Sequence, residues 1–214
     1  RDGHCLTVAH SFTSAVDLHA MLSRQSSSVV LTVAQRNRSY WRVTVPESLL
    51  PPERLPSHTT TCMGCGPDNP HGLRLVVHRS GDAVYTDVTF DERHIGAPGL
   101  AHGGAVAAAC DDVLGFTLWI AGTPAVTRTL TVEYLRPVPL HQTHRITAHI
   151  VSREGRALHV TATGTGEGGI ARFTASAVFI VVSPEHFAAH GDVSAFGDLL
   201  EQFSRRGGLD PEPS

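Results

Sequence analysis

One stretch constrains the fold of this 214-residue chain more than any other. It is a single alanine-rich apolar run, from about residue 103 to residue 121, flanked on both sides by β-type segments. Ala105, Ala107, Ala108 and Ala109 favour a helix and let a sheet approach it closely. Val106, Cys110, Val113, Leu114, Thr117 and Leu118 give that helix a broad apolar surface. Gly122, Thr123 and Pro124 stop it. Before it, 73–78 and 83–90 read as two strands joined at Arg79-Ser80-Gly81-Asp82. After it, 126–134, 144–153, 157–164 and 171–182 read as four more, with turns at Glu154-Gly155-Arg156 and Glu167-Gly168-Gly169. A single helix cannot cover both faces of a sheet. The expected fold class is therefore α+β, with a curved antiparallel sheet wrapped around one long central helix.

Such a helix should be apolar nearly all round, yet Asp111 and Asp112 interrupt it. A carboxylate there is costly unless it is paired or used. At its start stands His102-Gly103-Gly104. Backbone N–H groups at a helix N-terminus can hold a developing oxyanion. The two glycines let a substrate carbonyl come close without a Cβ in the way. Asp111 lies about two and a half turns further along, too deep in the helix to serve the macrodipole. It can act as general base or as nucleophile. These parts suit the hydrolysis of an activated acyl group. Asp112 points about 100° away from Asp111 and reads as an interface or capping partner.

The remaining composition narrows the function classes. A formal net charge of −3 gives no electrostatic reason to expect nucleic acid as a partner. No apolar run approaches the roughly 20 residues of a membrane span, so no membrane partner is expected. No leader pattern is seen at the N-terminus, and a cytoplasmic protein is expected. Four cysteines are too few for a disulfide framework in a chain this long. Cys110 reads as a small buried core residue. Cys62-x-x-Cys65 has the spacing of half a zinc site, but no second pair follows, although His58 and His71 are near in sequence. No metal is expected. Of the 14 histidines, only His102 falls in an interpretable motif.

The domain boundaries expected are an N-terminal extension over 1–60, a core domain over 61–185 and a tail over 186–214. Within the extension, 11–23 has a helical period, while 29–33 and 40–45 read as short strands. Prolines at 46, 51, 52 and 56 make 46–60 a linker. The tail carries a helical pattern over 193–203.

Three blocks, in this order, resemble the hotdog-fold acyl-CoA thioesterases, in the PaaI-like branch with a His-Gly-Gly signature. They are Cys62-Met63-Gly64-Cys65-Gly66 with Asn69-Pro70-His71-Gly72-Leu73, then Gly99 to Asp111, then Thr127 to Tyr134 with Leu135-Arg136-Pro137-Val138-Pro139. The resemblance spans about residues 62–183. It implies acyl-CoA substrates, no metal or organic cofactor, and a homodimer or homotetramer with active sites between protomers. It implies that Gly103 donates its N–H to the thioester carbonyl, that His102 shapes the turn or orients substrate, and that Asp111 activates water or attacks directly. Thr127 would assist the carboxylate or hold water. Gly104, Asn69 and Arg136 fall among the substrate-binding positions, and the Arg136 guanidinium suits a coenzyme A phosphate. The same fold can serve as a non-catalytic acyl-CoA binding or sensing module, though such a binder needs no acid at position 111. Hydratases of this fold pair a catalytic His with an acid in another motif, and no such pairing is evident here.

Overall fold

The computed structural model describes the backbone of residues 52–190, with their side chains except at 184 and 188, and, before them, the backbone of four strands. The chain divides into two compact units, Arg1–Pro52 and Glu53–Ser214. The first holds one antiparallel sheet of β1 (Cys5–Leu6), β2 (Ala20–Gln25), β3 (Ser28–Ala34) and β4 (Tyr40–Pro46), in that order. The strands expected at 29–33 and 40–45 lie within β3 and β4. The helix expected over 11–23 is not formed at residues 20–23. That segment finds hydrogen-bond partners in β3, with Leu22 opposite Leu31, and cross-strand pairing overrides a weak 3.6 period. Residues 11–19 lie outside the described residues.

The second unit contains β5 (Glu53–Arg54), β6 (Val77–Ser80), β7 (Ala83–Thr89), β8 (Ile95–Ala97), β9 (Leu100–Ala101), α1 (Gly103–Gly115), α2 (Thr117–Ala121), β10 (Ala125–Tyr134), β11 (Thr143–Glu154), β12 (Ala157–Thr165), β13 (Ala171–Val181) and α3 (Pro184–His190). Seven strands form one sheet in the order β10-β13-β12-β11-β7-β6-β5, every pair antiparallel. The helix α1 packs on β7, β10, β11, β12 and β13. Val106, Cys110, Val113, Leu114 and Leu118 are all buried, as their spacing implies. Opposite them, Ala148, Ala162 and Ala175 stand in register across β11, β12 and β13 and are buried too. Small residues on both surfaces allow helix and sheet to close-pack.

Sequence periodicity misplaces several boundaries, each for a local reason. The strand expected from residue 73 starts at Val77 instead, because Arg74 adopts a positive φ of 53°. Leu73 and Leu75 instead donate to the Met63 and Gly64 carbonyls, both at 2.9 Å. Within the expected 46–60 linker, Glu53 and Arg54 pair with Arg79 and His78, and Leu55 is buried. The expected loop before α1 holds a 3-10 turn (Glu92–His94) capped by Asp91, then the β8–β9 ribbon. Phe116 divides the long helix in two, and Gly122 ends it in the left-handed conformation at φ 63°. By length and hydropathy alone, Gly103–Ala121 could cross a membrane, contrary to the reading of the sequence. Its place is the core of this unit, where half of it is buried. In the tail, helix begins with Pro184 and runs to His190. The pattern over 193–203 lies outside the described residues.

One pair links sequence to sheet packing with a measurable consequence. Gly164 on β12 is the register partner of Phe173 on β13. A Cβ at Gly164 would overlap the Phe173 ring, which is wholly buried and has no room to yield. Gly164→Ala is expected to cost about 1–3 kcal/mol through overpacking. Urea unfolding of the variant beside wild type measures it, and an unchanged midpoint would contradict this account of the sheet.

Candidate active site

The N-terminus of α1 is built by His102. Its backbone is extended, at φ −66° and ψ 137°, and its Nδ1 accepts the Gly104 N–H at 2.9 Å. This makes His102 the N-cap, a role in which a side chain satisfies an end donor of the helix. The Ala105 and Val106 N–H groups both donate to the His102 carbonyl, at 2.9 and 3.2 Å. Of the first four helical N–H groups, only that of Gly103 has no acceptor among the described residues. Gly104, by contrast, has its N–H engaged by the cap.

Gly103 also borders an open cleft of about 420 Å³, lined by Leu100, Gly103, Val106, Tyr134, Arg136 and Val138 among others. The Tyr134 hydroxyl donates to the Gly103 carbonyl at 2.7 Å. This fixes the turn from the far side, at the end of β10. Tyr134 was not singled out from the sequence, although it stands in the block Tyr134-Leu135-Arg136-Pro137 that carries part of the resemblance. Burial, and then the nearby Cys110 thiol, raise the Tyr134 hydroxyl above its ordinary pKa. Arg136 lines the same cleft while its Nη1 donates to the Ala171 carbonyl at 2.8 Å. Cys110 is fully buried, as expected, and burial followed by the Asp111 charge pushes its thiol up to about 12.

Asp111 sits eight residues along α1 from Gly103 and points toward β10. Thr127 Oγ1 donates to Asp111 Oδ1 at 3.1 Å. The structure thus joins two of the sequence-selected residues, and Gly103 with Arg136 at the cleft. It does not join the two groups to each other within one chain. At a rise of 1.5 Å per residue, Gly103 and Asp111 are about 12 Å apart along the axis. The strand bearing Thr127, β10, ends the sheet, and its outer edge meets no other strand among the described residues.

Asn69 lies in the loop before β6. Its Nδ2 donates to the Thr61 carbonyl at 3.1 Å and its Oδ1 accepts the His71 N–H at 2.9 Å. Both polar ends therefore hold that loop together. Asp112 faces the same region, away from Asp111. Its Oδ1 lies 3.4 Å from His58 Nδ1 and 3.5 Å from Cys62 Sγ. This is a tighter and more buried setting than the interface or capping role expected for it.

Residues 98–170 match a family model described as the thioesterase superfamily. The acyl-coenzyme A thioesterase THEM4 of Mus musculus is 35% identical over 91 residues, which are 42% of this chain and 39% of that protein. THEM4 of Rattus norvegicus is 33% identical over 92 residues, with the same coverage of each. The chain thus spans 39% of the length of these curated relatives. A crystal structure of a thioesterase superfamily protein superposes with a TM-score of 0.55 and 27% identity, covering 57% of this chain and 61% of that one. Zebra fish thioesterase superfamily member 2 shares the fold at a TM-score of 0.50 and 18% identity, covering 57% of this chain and 93% of the other. With its capped central helix and antiparallel sheet, the second unit has the hotdog fold, and residues 98–170 within it match the thioesterase superfamily.

Proposed function

We propose that this protein hydrolyses acyl-CoA thioesters to a carboxylate and free coenzyme A, as a member of the His-Gly-Gly, PaaI-like branch. The observation that carries the proposal is the Gly103 N–H. It is the one donor of the first helical turn without an acceptor among the described residues, and it borders the cleft. A thioester carbonyl held there gains a hydrogen bond that strengthens as its oxygen becomes an oxyanion. The first turn of α1 adds its dipole in the same sense. Asp111, oriented by Thr127, either takes a proton from the attacking water or attacks the carbonyl carbon itself. In the first case the water oxygen bonds to the carbonyl carbon, the carbon–sulfur bond breaks, and coenzyme A leaves as the thiol with the proton Asp111 took. In the second, an acyl anhydride forms on Asp111 as coenzyme A leaves as thiolate and takes a proton from solvent, and water then hydrolyses the anhydride to the carboxylate and restores Asp111. Arg136 at the cleft is suited to a coenzyme A phosphate. The similarity to acyl-coenzyme A thioesterase THEM4 supports the substrate class.

Because about 12 Å of helix separates Gly103 from Asp111, one chain cannot present both to a single carbonyl. The site is therefore shared in a homodimer, Gly103 from one protomer and Asp111 from its partner. The open edge of β10 is the natural seam, since a ten-residue exposed strand is a template for pairing with a second copy.

Release of free thiol from acetyl-, hexanoyl-, palmitoyl-, phenylacetyl- and benzoyl-CoA tests the reaction. Turnover of at least one class is expected. Saturable binding of these esters without thiol release would overturn hydrolysis in favour of an acyl-CoA sensing module.

A further inference from the structure

Four side chains outside the thioester site meet at one point: His58, Cys62, Cys65 and Asp112. Their ligand atoms all lie within 4.8 Å of one another. His58 Nδ1 is 3.3 Å from Cys65 Sγ and 3.4 Å from Asp112 Oδ1, and Cys62 Sγ is 3.5 Å from Asp112 Oδ1. We propose that these four residues form a structural zinc site, clamping the 57–66 loop to the middle of the central helix.

The distances support this directly. Zinc bonds of about 2.3 Å to sulfur and 2.0–2.2 Å to nitrogen or oxygen put the corners of a tetrahedron about 3.3–3.8 Å apart. The three measured separations fall in that range. Two thiolates, an imidazole and a carboxylate form a donor set suited to zinc and poor for magnesium or calcium. All four positions are filled by protein, the pattern of a structural rather than a catalytic centre. Charge points the same way. Two potential thiolates and a carboxylate crowd one largely buried space, and Asp112 Oδ2 is buried without a hydrogen-bond partner among the described residues. Such a group is costly without a compensating cation.

The backbone is shaped for the same purpose. The Gly66 N–H donates to the Cys62 carbonyl at 3.0 Å, closing a tight turn that brings the two sulfurs together. The His58 N–H lies 3.3 Å from Cys65 Sγ, the kind of donor that supports a bound thiolate. A Cβ on Gly64 would overlap Asp112, so only glycine lets the turn reach the helix. Phe116 packs on the His58 ring with centroids 4.3 Å apart, and Ser57 Oγ donates to the Cys65 carbonyl at 2.8 Å. Cys62 and Cys65 are both free thiols in the structure. Binding would deprotonate them and release their protons to solvent, with no change in redox state.

The test uses the full chain purified under reducing conditions without added metal, with zinc measured by plasma mass spectrometry. The expected result is about one zinc per chain, lost in Cys65→Ser and in Asp112→Ala. A variant lacking a ligand can fail to fold, so cobalt exchange into the wild-type chain is the second arm. Strong four-coordinate absorption with thiolate-to-cobalt charge transfer is expected. Metal-free wild type that is folded, with Cys62 and Cys65 either open to a thiol reagent or joined as a disulfide, would overturn the proposal. So would the weak spectrum of six-coordinate cobalt. Thiol release from acyl-CoA is a separate readout and bears on neither outcome.

Discussion

Asp111→Asn is expected to lower kcat for thioester hydrolysis by about 10²–10⁴-fold, the usual contribution of a positioned acid–base group. In barrier terms this is about 3–5 kcal/mol. The change keeps the size of the side chain and an oxygen that Thr127 can still donate to at the position it now serves. Asp111 makes no ion pair among the described residues and is only half-buried, so the melting temperature should stay within a degree or two of wild type. If the residue were only a structural acid, activity and stability would fall together or not at all. Loss of turnover with an unchanged melting curve and retained acyl-CoA binding separates the two. Full turnover in the folded variant would remove Asp111 from the mechanism.

Gly103→Pro addresses the other half of the chemistry by deleting a single hydrogen. Proline at the first helical position costs little, since its missing N–H has no intrahelical acceptor and its φ suits the helix. His102 already has the extended backbone that a following proline demands. The new Cβ would meet Tyr134 Oη at 3.2 Å, a half-exposed side chain that can shift. The helix should therefore persist while the proposed oxyanion donor is gone. Loss of one such donor costs about 10²–10³-fold in kcat. The effect should appear in kcat more than in KM, because the bond is strongest in the transition state. A raised KM with kcat intact would instead make Gly103 a binding contact only.

The parts of the chain differ in how much of their structure the sequence reveals. The central helix could be read because alanine content, apolar period, capping turn and stop signals all agree along one local stretch. The four strands after it were legible because glycine turns punctuate them. The break at Phe116 has no sequence signal, since its backbone stays helical. The late start of β6 depends on the positive φ of Arg74, which residue type does not announce. At the site, the resemblance already names Gly103 as the donor, and the fold supplies the physical reason, because the His102 ring occupies the Gly104 N–H. Tyr134 reaches Gly103 across 31 residues, and only the fold brings them together. The zinc cluster shows the same limit. Cys62, Cys65 and His58 are close in sequence, but the fourth ligand, Asp112, lies 50 residues from Cys62. It was hidden beside a carboxylate of a different purpose.

In the proposed dimer, one protomer's Gly103 and its partner's Asp111 act on the same carbonyl. Mixing the two inactive variants tests this sharing. Asp111→Asn and Gly103→Pro chains are unfolded together, refolded and assayed for thiol release. Each mixed dimer then holds one site with both groups intact and one with neither. Random pairing should restore about a quarter of wild-type activity, well above either variant alone. Activity no higher than the two variants measured separately, in a sample where mixed dimers are demonstrated, would contradict the shared site.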